Sequence, residues 1–144
     1  MAAAQAATHA SNIRDIVRQA NAELSQGLQV ISPLVNDFGT LCMELQRLQE
    51  AYRWPANILD LTLPPPTVAE LSTLDANRDS TIPHQDELLL KEWYDRKNAF
   101  TIITHASKSH PTANSLLKNI TANHAREAFE VLHNFFRPPD EAGT

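Results

Sequence analysis

The chain has 144 residues, one domain's worth, and its three glycines against nine prolines argue against a glycine-loop nucleotide fold and a hairpin-rich β protein. A net charge of −5 disfavours a stand-alone nucleic-acid binder. The single cysteine, Cys42, excludes an intrachain disulfide framework and a cysteine-rich zinc site, and no apolar run approaches the roughly 18 residues that cross a bilayer.

The first ten residues are alanine-rich and lack the basic start and continuous apolar run of a signal peptide. They read as a helical extension or a frayed tail. Ser11 or Asn12 is then expected to cap a helix running to about Ile31, because Ile13, Ile16, Val17, Ala20, Leu24, Leu28 and Ile31 recur at spacings of three and four. Gly27 weakens its last turn and Pro33 follows its end. This narrow stripe is expected to dock onto the body of the domain, with a partner helix as the alternative occupant.

Asp37 or Gly39 opens a second helix, with Phe38, Leu41, Cys42, Leu45, Leu48, Gln49 and Tyr52 along its inner stripe. Trp54-Pro55 breaks it, since a residue before proline is pushed out of the α region. Ile58, Leu59 and Leu61 add apolar anchors in a short turn, and Pro64, Pro65 and Pro66 form a stiff extended joint. Val68, Leu71 and Leu74 suggest a short helix starting near Thr67, followed by a polar stretch, 75–83.

The strongest helical signal runs from Pro83 to about Ala106. Leu88, Leu89, Glu92, Trp93, Arg96, Ala99, Phe100, Ile103 and Thr104 form one side of it and Ile102 widens that side, as expected of a central helix. Arg96 reads as a snorkelling rim residue and Tyr94 as a residue of the core edge or an interface. A short helix spans Thr112–Ile120. In the last helix, with Asn123 as a possible cap, Ala125, Ala128, Phe129, Leu132, Phe135 and Phe136 form the buried face, and Pro138 and Pro139 stop it. The expectation is an all-α, compact bundle of five to six helices. Its core is drawn from Phe38, Leu41, Leu45, Leu48, Trp93, Phe100, Ile103, Phe129, Leu132 and Phe136.

The side chains capable of chemistry do not form a recognisable constellation in sequence. His105 and His110 are five apart across a helix end, a poor spacing for zinc, and read as surface or capping histidines. His124 and His133 point to different faces of the last helix. Glu127 and Glu130 are helical neighbours expected to face solvent. Cys42 sits between Leu41 and Met43 and reads as a core thiol, not a nucleophile. His84, Asp86 and Glu87 suit a helix N-terminus, where acids favour the helix dipole. No catalytic residue, metal site or cofactor is expected. Charge is uneven: residues 31–83 hold seven acids and three bases, and residues 84–137 six acids and seven bases.

Three segments, taken in order, carry a resemblance. They are Leu41-Cys42-Met43-Glu44-Leu45-Gln46-Arg47-Leu48 leading to Trp54-Pro55, then Leu90-Lys91-Glu92-Trp93-Tyr94-Asp95-Arg96-Lys97-Asn98-Ala99-Phe100-Thr101-Ile102-Ile103, then Asn123-His124-Ala125-Arg126-Glu127-Ala128-Phe129-Glu130-Val131-Leu132. Over roughly residues 38–137 this order resembles the capsid region of LTR-retrotransposon Gag polyproteins, closest to the Copia type, or a domesticated relative. The last segment is similar to that family's Thr-Ala-x-Glu-Ala-Trp-x-x-Leu pattern, with Phe129 in place of tryptophan. Leu41 or Cys42 stands where the family carries another tryptophan.

The resemblance implies a retroviral-capsid-like N-terminal domain, expected at residues 33–137; the tail and amphipathic helix at 1–32 lie outside the pattern, and a flexible acidic tail is expected at 138–144. It implies a non-enzymatic structural protein whose partners are copies of itself in a cytoplasmic, intracellular virus-like particle that packages element RNA. The family's second capsid domain is a further expected partner, absent after Phe136. Neither direct nucleic-acid binding by this segment nor a membrane partner is expected. The expected assembly surface lies on the outer faces of the first two helices, at Glu44, Arg47 and Glu50, joined by Gln46 and Gln49. The alternative is a helical adaptor domain that binds a partner helix or peptide.

Overall fold

The computed structural model of the chain describes residues 2–35, 37–65, 87–121 and 124–136. Five α-helices appear among them, and no strand: α1 (Ala2–Val30), α2 (Phe38–Tyr52), α3 (Glu87–Ser107), α4 (Pro111–Leu117) and α5 (Ala125–Phe136), with a 3₁₀ turn at Ala56–Ile58 between α2 and α3. The all-α bundle is therefore observed. The expected short helix from Thr67, the polar stretch 75–83, His84, Asp86, the Asn123 cap and the 138–144 tail lie outside the described residues.

α1 begins at Ala2, ahead of the expected start at Ser11 or Asn12, so its alanine-rich lead continues one 29-residue helix. Alanine is the best intrinsic helix former, and the stretch contains no proline or glycine to interrupt it. α1 docks onto α3. The Asn98 Nδ2 donates to the Ala20 carbonyl at 2.8 Å, and the Tyr52 hydroxyl donates to the Gln26 Oε1 at 3.3 Å. The segment from Ala20 to Ile31 is thus part of the packing, with Ala20 and Ile31 both buried.

Gly27 explains how closely α1 approaches. A Cβ placed on it would lie 2.6 Å from the Ile102 Cδ1 and 3.8 Å from the Leu48 Cδ1. The residue that weakens the helix locally is the one that lets α1 sit against α3 and α2. After α1, the Leu34 N–H donates to the Ala106 carbonyl at 2.8 Å and turns the chain over the end of α3.

α2 is framed by defined caps. The Asp37 carboxylate accepts from the Thr40 N–H at 3.4 Å and the Thr40 hydroxyl at 2.7 Å. Those bonds hold its pKa below the ordinary carboxylate value. At the far end Arg53 adopts a left-handed conformation, φ 56°, and its N–H donates to the Gln49 carbonyl. α4 starts in a related way: the His110 Nδ1 accepts from the Ala113 N–H at 3.2 Å and Pro111 takes the first helical position. His110 is the capping histidine that the sequence suggested.

α3 is the central element and packs against each of the other four helices. The main core joins Leu41, Leu45, Leu48, Ile58, Ile102, Ile103, Phe129 and Leu132. Phe38, Phe100 and Phe136, expected inside it, are half-buried and pack against its edge. Phe38 stacks on Phe136 at 5.0 Å between ring centroids and on Phe129 at 5.9 Å. Trp93 is buried, but it belongs to a second cluster with Ala20, Leu90 and Tyr94, which also takes Tyr94 off the expected core edge. Trp93 and Tyr94 meet edge to face at 5.0 Å, and the Lys97 ammonium sits over both rings. Leu88, expected on the inner side of α3, is 64% exposed.

Candidate functional site

α2 uses one face for the core and turns two unlike flanks outward. With Leu41, Leu45 and Leu48 buried, the 3.6-residue period puts Cys42, Gln46, Gln49 and Glu50 on one flank and Glu44 and Arg47 on the other. The five residues expected to form one assembly surface are therefore divided between two.

The first flank forms a wall of an open groove of about 700 Å³. The opposite walls are Leu59, Asp60, Leu61 and Thr62 from the loop after the 3₁₀ turn, and Phe129 and His133 from α5. Leu59, Leu61 and Phe129 make much of the lining apolar, and the exposed acids Glu50 and Asp60 border it. Asp60 is held below the usual carboxylate pKa by bonds from Thr62. Cys42 is half-buried in that lining, and burial raises its thiol pKa to about 11. A thiol so weakly acidic is a poor nucleophile at neutral pH, in line with the sequence reading. Gln49 is half-committed to the fold, because its Nε2 donates to the Pro55 carbonyl at 3.1 Å. Gln46 and Glu50 are exposed.

On the second flank, Glu44 is a half-buried fastener, not the exposed contact expected of it. It accepts from the Ser32 N–H at 3.0 Å and the Ser32 hydroxyl at 2.8 Å, and so ties α2 to the end of α1. Arg47 remains exposed, beside the 52%-exposed Met43.

Two cations that sequence reasoning passed over hold the end of α2 and the segment that follows it. Arg126 is buried on α5, and its Nη1 donates to the carbonyls of Asn57, Asp60 and Leu63 at 3.0, 3.4 and 2.9 Å. Its Nη2 donates to the Leu61 carbonyl at 3.2 Å. One guanidinium thus bonds four carbonyls of the 3₁₀ turn and the loop after it. Lys91 performs a similar task at the C-terminal end of α2. Its Nζ donates to the Tyr52 and Arg53 carbonyls at 3.3 and 3.5 Å and to the Asp95 carboxylate at 2.7 Å. Burial pushes the Asp95 pKa up to about 6, against the opposing pull of Lys91. The available signal for Arg126 was its place among Ala125, Ala128 and Phe129 on the buried side of α5; nothing in the sequence marked its carbonyl partners.

The remaining histidines and carboxylates stay apart. His105 is exposed, and the His124 Nδ1 lies 3.3 Å from the Glu127 carboxylate on one helix. Among the described residues no three metal-ligating side chains converge, and no helix is long and apolar enough to cross a membrane. Comparison with models of known protein families, with curated protein sequences and with solved structures finds no match to this chain.

Proposed function

We propose that the chain is a structural module that self-associates through α2, acting as a Gag-type capsid domain in a shell around element RNA, without catalysing a reaction. The observation that carries this reading is the pair of unlike outward flanks on α2. A ring closes when one surface of a subunit meets a different surface of its neighbour, and α2 offers both: a groove with an acidic rim and a ridge bearing Met43 and Arg47. The order of the three sequence segments that resemble Gag capsid regions supports the same reading. So does the engagement of Lys91, Asp95, His110 and Arg126 in holding the fold. Individually weak contacts suffice in such a shell, because many copies act together. RNA capture is assigned to another part of a Gag protein, since this chain is acidic.

Sedimentation velocity and negative-stain electron microscopy over a range of protein and salt concentrations test the proposal. Concentration-dependent oligomers, rings or tubes are expected. Reversing Arg47 to Glu is expected to weaken association by about tenfold, because an acidic rim then faces an acid. A single monomeric species at every concentration, unchanged by Arg47→Glu, overturns the proposal.

The apolar lining of the groove favours a second reading, an adaptor that receives a partner helix. Leu59, Leu61 and Phe129 offer apolar contact, and Glu50 and Asp60 suit a basic rim on the incoming helix. Arg47→Glu separates the two readings, because Arg47 lies outside the groove: the first reading expects it to weaken self-association, the second expects it to leave binding of a basic amphipathic peptide unchanged.

A further inference from the structure

Arg96 is the charged side chain whose position the assembly reading does not use. Expected at the rim, it is only 4% exposed. Its Nε and Nη1 are buried without a hydrogen-bond partner. Among the described residues its ion-pair neighbour is the Glu92 carboxylate one turn earlier, 4.0 Å from Nη1, too far for a hydrogen bond. A buried guanidinium with unmet donors is costly, and supplying an acceptor recovers that cost.

Arg96 and Glu92 line an open cleft of about 530 Å³, distinct from the α2–α5 groove. Asn57 lines it too, and its Oδ1 is likewise buried without a partner. Pro55, Pro64 and Pro65 supply much of the remaining wall. Proline has no N–H, so these residues offer an apolar surface that does not compete for an incoming acceptor. The cleft thus combines an unmet planar donor, an unmet amide acceptor and an apolar wall.

We infer that this cleft binds an acidic side chain of an extended peptide, with the carboxylate on the Arg96 guanidinium and a peptide N–H on the Asn57 Oδ1. A carboxylate matches the guanidinium in shape and forms two parallel bonds with it. A simple organic acid would leave the Asn57 oxygen unmet, whereas a peptide carries the N–H it needs. Glu92 already stands beside Arg96, so a monoanionic carboxylate is tolerated better than a doubly charged phosphate. This site is independent of the self-association proposal.

The test is an NMR titration of the full chain, following the Arg96 Nε–H, with three probes: the peptide acetyl-Ala-Glu-Ala-amide, its Gln counterpart and inorganic phosphate. The Glu peptide is expected to move the Arg96 Nε–H downfield in a saturable way, and to bind at least about tenfold more tightly than the Gln peptide. In the variants the Asn57 side-chain amide is followed instead: Arg96→Met is expected to fold and to lose the saturable shift of that amide with the Glu peptide. Arg96→Lys, which keeps the charge without the planar fork, is expected to weaken binding by about tenfold. The inference is overturned by the absence of a saturable shift, by equal affinity for the Glu and Gln peptides, by tighter binding of phosphate, or by undiminished binding to a folded Arg96→Met chain.

Discussion

Arg126 shows how much one side chain can organise. Four carbonyls of the 57–63 segment converge on its guanidinium, and among the described residues only that of Asp60 also accepts from a backbone N–H, that of Leu63 at 3.1 Å. Arg126→Met is expected to lower stability by about 2–4 kcal/mol, measured as a drop in the urea midpoint at unchanged slope. Asp95 contributes a pH dependence of known sign. Its pKa is raised from 3.8 to about 6 by burial, so between those values the folded chain holds more protons than the unfolded one. Stability from this group therefore falls as pH rises from about 4 to about 6, by something on the order of 2–3 kcal/mol. Urea midpoints at pH 4, 5, 6 and 7 should show that slope, and Asp95→Asn should flatten it. Asp37 and Asp60 act oppositely: their lowered pKa values give stability that is lost as pH falls through the range below about 4.

At the scale of elements, Gly27 separates local preference from packing. Gly27→Ala improves helix propensity by about 1 kcal/mol, yet its Cβ meets the Ile102 Cδ1 at 2.6 Å inside a filled core. The clash is expected to win, giving a net loss of about 1 kcal/mol. Ile102→Val removes that methyl, so in its background Gly27→Ala should become stabilising, and thermal melts of the four chains measure the coupling. The same glycine marks where sequence reading stops. Periodicity identified α2, α3 and α5 and the docking of α1, because apolar spacing reports which side of a helix faces inward. It did not report which neighbour that side meets. Leu88 fits the stripe of α3 but lies at its exposed start, and Trp93 fits it but packs into a second cluster against α1. Glu44, Arg96 and Arg126 were misplaced or missed because their roles depend on partners distant in sequence: Ser32, the cleft around Asn57, and the 57–63 carbonyls. Three of the five nominated surface residues do meet at one groove, since Gln46, Gln49 and Glu50 share a helical flank that spacing makes visible.

For the whole molecule, the acidic balance and the two flanks of α2 set how copies would approach. If the acidic rim of one groove receives the Arg47 ridge of another copy, salt should weaken the contact, because exposed charges are screened beyond about 8–10 Å at physiological ionic strength. Light scattering at low and high salt is expected to show larger assemblies at low salt, and Glu50→Arg should remove most of that dependence. The connectivity around α3 also has a temporal side. The Ala20 carbonyl and the Asn98 amide that join α1 to α3 are 78 positions apart, whereas α4 and α5 follow α3 directly in the chain. Short-range pairs form first, and a contact across so long a loop forms late. On the ribosome α1 emerges well before α3, so its apolar side waits for a partner that has yet to be synthesised. The α3 of another nascent chain offers the same surface, which makes exchange of the first helix between two copies the characteristic misassembly of this topology when synthesis is crowded.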